Sequence, residues 1–146
     1  MTDDNQLFAR LVLEINQAGL SWTTILKKAA NFHVAYHGFD IATVAHYTET
    51  DRLRLMANAG IVRNRLKINA AIVNAQRLLV LQQEHGSFNL WLDSHRTLTK
   101  EQWTTLFKKT FLFTGGEIVN EFLISTAYLS GAHQETCPIH AKIIRL

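Results

Sequence analysis

Apolar residues recur along this chain at the three- and four-residue spacing of helices, and no stretch alternates convincingly with the period of two expected of a half-buried strand. Leu7, Leu11, Ile15 and Ala18 form one stripe, which predicts a first helix over about Asp4 to Ala18, stopped by Gly19. Ser21 is placed to cap a second helix to about Ala30, with Ile25 and Ala29 facing inward. Asp40 caps a short third helix carrying Val44 and Ala45. A fourth is predicted over about Thr50 to Ala59, with Leu53, Met56 and Ala57 on one side. Beyond Gly60, the stripe Ile68, Ile72, Ala75 and Leu79 marks a long helix over about Asn64 to Glu84. Ser87 and Thr99 open two shorter helices, and Thr99 and Gln102 have capping-box spacing. A last helix is expected over about Glu117 to Ser130. The pattern is an all-α, bundle-like domain of about seven to eight helices.

Composition narrows the class. The 146 residues suffice for one domain with one core, and no repeat, linker or low-complexity tract divides residues 1–146. With 47% hydrophobic and 18% charged residues, the chain is globular in composition and not disordered. No apolar run approaches the roughly 18–20 residues of a membrane helix, so no membrane association is expected. The start, Met1 to Asn5, lacks the basic and apolar regions of a secretory signal. The single cysteine, Cys137, excludes an internal disulfide and suits a reducing compartment, so a cytoplasmic location is expected. The net charge of +3 says little alone, but Arg63, Arg65 and Lys67 fall within five residues, and Lys108 and Lys109 form a further pair.

Three groups of residues carry candidate chemistry. Two helices joined by Ala59-Gly60-Ile61-Val62-Arg63 form a short helical hairpin. A helix start presents unpaired N–H groups and partial positive charge, and a glycine lets backbone approach an anion closely. Arg63, Arg65 and Lys67 would add point charges around a phosphate there. Equally, Gly60 could be an ordinary helix cap beside a solvated basic face. Glu14 lies at the margin of the first apolar stripe, as either an edge residue reaching water or a site residue beside a cavity. Trp22 follows across the break at Gly19, and an indole near a carboxylate suits a positively charged purine. In the tail, His133 and Cys137 have a spacing that places two ligands on one side of a metal, with His140 three residues beyond. One thiol and nearby imidazoles in a polar tail would look the same.

The segment Ala59-Gly60-Ile61-Val62-Arg63-Asn64-Arg65-Leu66-Lys67-Ile68, with Ala71 to Ala75 after it, resembles the helix-hairpin-helix of the DNA-3-methyladenine glycosylase I family. Gln17-Ala18-Gly19-Leu20-Ser21-Trp22 and Ile25-Leu26-Lys27-Lys28 resemble that family's other signature. Both occur in the family's order and spacing, and the likeness runs from about Leu7 to Cys137. It implies a base-excision repair enzyme that flips 3-methyladenine from alkylated double-stranded DNA and hydrolyses its N-glycosidic bond. Glu14 then matches the acidic base-recognition residue and Trp22 an aromatic wall of the lesion pocket. Gly60, Val62, Arg63, Arg65 and Lys67 become DNA contacts, with Val62 where the general motif has a second glycine. No lysine nucleophile is implied, so no strand-cleaving step is expected.

The likeness also has gaps. His133 and Cys137 match the family's zinc-binding pair, but its other two ligands belong to an N-terminal segment that does not precede Met1 here, so no cofactor is required by this reading and zinc is half provided for. That segment also supplies pocket aromatics. The stretch before Phe111 is short, Asn120-Glu121 stands where an aromatic is usual, and Gly131-Ala132 replaces Asn-Asp. The sequence therefore carries a second reading, a truncated and catalytically weak relative acting as a DNA-binding or protein-interaction module. An apolar surface left by the missing segment would suit a homodimer.

Overall fold

The structure is a computed structural model that describes residues 3–17, 20–126 and 128, with Trp22 described in its backbone only. Among the described residues there are eight α-helices and no strand. They are α1 (Asp4–Gln17), α2 (Trp22–Ala35), α3 (Ile41–Ala45), α4 (Glu49–Met56), α5 (Arg65–His85), α6 (Phe88–Asp93), α7 (Lys100–Thr110) and α8 (Gly116–Ser125). A 3-10 turn, His37–Phe39, links α2 to α3.

Capping side chains set most of the starts. Ser21 accepts the Thr24 N–H, Asp40 that of Thr43, Asn64 that of Lys67 and Ser87 that of Leu90. At α7 Thr99 and Gln102 exchange both bonds of a capping box. Asp4 acts at a distance: its carboxylate accepts the N–H groups of Phe88 and Asn89, tying the start of α1 to the start of α6. Gly86 ends α5 at φ 92, a conformation that favours glycine.

α1 is the centre of the molecule. Every residue from Leu7 to Asn16 is buried, and the helix contacts α2, α3, α5, α6, α8 and the 3-10 turn. A helix enclosed on all sides has no edge. Glu14 is consequently not at the margin of a stripe reaching water, as one branch of the sequence reading had it, but inside, with 3% of its surface exposed.

Aromatic clusters flank this helix. Phe88, Trp91, Phe107, Phe111 and Phe122 join α6, α7 and α8, with ring centroids such as Phe107 to Phe111 at 5.3 Å. Phe8, Phe32, Tyr36 and Phe39 gather on the other side. Three predicted elements change, the last helix among them, which ends at Ser125 with Thr126 as its cap. α2 continues to Ala35, because Phe32 and Ala35 add a turn of buried contacts. α4 ends at Met56 and turns Leu55 to the core, leaving Leu53 59% exposed, so the predicted inner side of that helix was misassigned. Met56 packs partly against the core, and with Leu53 it lines a cleft of about 210 Å³ between α4 and α5.

Candidate functional site

The chemistry on α1 begins with a four-residue spacing. Arg10 and Glu14 lie one turn apart on the same face, where side chains of opposite charge meet. Arg10 Nη2 donates to Glu14 Oε1 at 2.9 Å, and both side chains are almost wholly buried. Arg10 Nε donates to Ser125 Oγ at 2.8 Å, which anchors the guanidinium on α8. Ser125 Oγ in turn donates to the Phe122 carbonyl at 3.0 Å. Glu14 Oε2 is buried and accepts no hydrogen bond among the described residues.

Burial dominates the electrostatics of this pair. It pushes the Glu14 carboxyl up to about 7; Arg10 pulls it back down, and Glu121 of α8 adds to the rise. The Arg10 guanidinium is held down at about 10 by the same loss of water, opposed by Glu14 and Glu121. Near neutral pH, Glu14 is therefore a carboxyl group that titrates with one oxygen clamped and the other unengaged among the described residues. Such a group can accept an N–H from a ligand when ionised. Trp22 is the first residue of α2, a helix packed against α1.

The second candidate region is the connection between α4 and α5. It is longer than the five-residue turn expected, running from Ala57, which caps α4, to Asn64, which caps α5. Ile61 is buried and anchors the turn in the core, and Val62 packs partly against it. Gly60 does not act as a helix cap, and its N–H donates to Asn58 Oδ1 at 2.8 Å. Its lack of a side chain matters for a different reason: a Cβ there would lie 3.0 Å from the side chain of Asn31 on α2. Arg63 and Arg65 are exposed at the start of α5, and Lys67 is half-buried, with its pKa lowered by that burial. The basic residues thus surround a helix start, while the glycine serves close packing beneath it.

Sequence reasoning missed Arg10, Ser125 and the influence of Glu121. The four-residue spacing of Arg10 and Glu14, opposite charges inside an apolar stripe, is the signal in the sequence that marks them as a pair. His133 and Cys137 lie outside the described residues. Among those described, no group of three His, Cys, Asp or Glu side chains is placed to hold a metal ion, and no helix is long and apolar enough to cross a membrane.

Comparison with known proteins identifies the family. Residues 1–110 match the methyladenine glycosylase family model. DNA-3-methyladenine glycosylase 1 of Escherichia coli is 46% identical over 87 residues, a match spanning 60% of this chain and 46% of that protein's length. DNA-3-methyladenine glycosylase of Haemophilus influenzae is 30% identical over 93% of this chain and 83% of its own. Among solved structures, 3-methyladenine DNA glycosylase I from Staphylococcus aureus superposes with a TM-score of 0.84 at 33% identity, covering 96% of this chain and 84% of that one. A variant of 3-methyladenine DNA glycosylase I in complex with 3-methyladenine gives the same TM-score at 33% identity over 96% of this chain and 85% of that one. None of these matches favours the non-catalytic reading. The chain belongs to the methyladenine glycosylase family.

Proposed function

We propose that this protein is a DNA repair glycosylase that removes 3-methyladenine from alkylated double-stranded DNA by hydrolysing the N-glycosidic bond. The observation that carries the reading is the buried carboxylate of Glu14, with Oε2 unengaged among the described residues, in a chain whose relatives are named for this activity. The start of α5 docks on the phosphate backbone through Arg63, Arg65 and Lys67, with the turn at Gly60 and Val62 holding that helix start in place. The damaged nucleotide is turned out of the stack, which costs less for a weakened pair.

Glu14 then accepts an N–H of the base through Oε2, and Trp22 supplies a face for stacking. Alkylation gives the base a positive charge while it is still attached to the sugar. Water attacks C1′ as the bond to the base breaks, the bonding pair moves onto the base and cancels its charge, and the water's spare proton is lost to solvent. Glu14 thus selects the cationic, alkylated base and holds it in place through that hydrogen bond. No lysine attacks the sugar, so the strand is not cut, and no step runs through a metal. The duplex, rather than a second copy of the chain, is the partner proposed.

The test is chromatographic detection of free 3-methyladenine from methylated duplex DNA. Wild-type protein releases it, and Glu14→Gln, checked for folding by circular dichroism, loses about ten- to a hundred-fold, the worth of one hydrogen bond to a charged group. Absence of release by wild-type protein that still binds the duplex would overturn the reading.

A further inference from the structure

We propose that Arg10 is a positioning residue for Glu14: by clamping Oε1 from an anchor on Ser125 of α8, it keeps the carboxylate ionised and directs Oε2 as the acceptor. This rests on the role given to Glu14 above, but its test can be read separately. The geometry carries it. Both residues are buried, the Nη2–Oε1 contact is 2.9 Å, and the Nε–Oγ contact to Ser125 is 2.8 Å.

Stability alone does not account for such a pair. Withdrawing two charges from water costs several kcal/mol each, and two apolar side chains of similar volume commonly serve a core as well or better. The positions around it are apolar: Leu7, Leu11, Val12, Leu13 and Ile15 are all buried in α1. What the pair does supply is a bias of Glu14 toward its ionised form and a defined direction. A carboxyl in this much apolar surrounding drifts toward its neutral form, and a neutral acid donates where an acceptor is needed. Among the described residues, the charges acting on Glu14 are Arg10 from α1, which favours ionisation, and Glu121 from α8, which opposes it. Removing Arg10 leaves burial and Glu121 both pressing Glu14 toward the protonated form. The two hydrogen bonds of Arg10, from Nη2 to Glu14 Oε1 and from Nε to Ser125 Oγ, also restrict the carboxylate plane, because the guanidinium that holds Oε1 is itself anchored on α8.

The experiment follows the Glu14 carboxyl by carbon-detected NMR through a pH titration of the wild-type protein, Arg10→Met and Arg10→Lys. The pH profile of kcat/KM for base release is measured alongside. Arg10→Met should raise the midpoint by about 1–3 pH units, the usual influence of an adjacent opposite charge. The acid limb of kcat/KM should move up with it, with at least about a five-fold loss at pH 7 that Arg10→Lys largely restores. If Arg10→Met does not fold, Arg10→Gln, which keeps donors without the charge, makes the same comparison. An unchanged midpoint would overturn the proposal. So would a shifted midpoint with an unshifted acid limb in an active enzyme. Failure of the wild-type protein to release base speaks against the assigned activity alone, since the titration still decides whether Arg10 governs Glu14.

Discussion

The centre of α1 and the start of α5 both carry charge, yet they hold it in opposite ways. Arg10 and Glu14 sit inside the molecule, each fixed by a partner within 2.9 Å. Arg63 and Arg65 stand in water at a helix start. A buried charge is insulated from salt and governed by its immediate neighbours, so it can be tuned to one protonation state and one direction. An exposed charge is screened within about 8–10 Å at ordinary ionic strength and acts by number and placement. The first arrangement suits discrimination of a single base. The second suits positioning on a repeating phosphate backbone.

The sharpest way to break this contrast is to remove one member of the buried pair. Arg10→Ala leaves Glu14 without its opposite charge and should cost about 3–5 kcal/mol in urea unfolding at pH 8. Replacing both, as Arg10→Met with Glu14→Leu, should recover most of that stability while base release stays lost. If the double variant is as unstable as the single one, the pair is a structural element and not one kept for chemistry.

At the start of α5 the expected effects are smaller and differ in kind. Arg63→Ala and Lys67→Ala should each lower the slope of log affinity against log salt by about 1, with folding unchanged. Slopes identical to the wild type would remove this face from the DNA-binding surface. The smallest effect belongs to Gly60→Ala. The added Cβ would meet the exposed Asn31 side chain at 3.0 Å, so that side chain must shift by a few tenths of an ångström. A loss of about 1 kcal/mol or less in urea unfolding is expected, with DNA affinity retained. A large loss of affinity with stability intact would instead show that the Gly60 backbone itself meets the phosphate.

How far the sequence could be read follows the same division. Helix starts were legible because Ser21, Asp40, Ser87, Thr99 and Asn64 act locally, within three residues. The basic cluster was legible because Arg63, Arg65 and Lys67 lie within five residues of one another in the sequence. The interior was harder. The stripe on α1 pointed to one buried face, but the helix is enclosed by six neighbouring elements, which no periodicity along a single helix reveals. Ser125 lies 115 positions from Arg10, so their contact depends on how α8 packs against α1. On α4, spacing alone could not choose between Leu53 and Leu55; the fold buries Leu55 and leaves Leu53 59% exposed. The position of Glu14 in the stripe marks it as a candidate and the family likeness implies its role, whereas its depth and its clamp follow only from the fold.

The most direct measurement is the pH dependence of 3-methyladenine release from methylated duplex by wild-type protein and Glu14→Gln. Burial raises the Glu14 carboxyl to about 7, so its ionised form, and with it base release, should be lost as pH falls through that value. Glu14→Gln should be weak and lack that limb. Release by the folded Glu14→Gln variant at the wild-type rate, with the wild-type pH profile, would contradict the account.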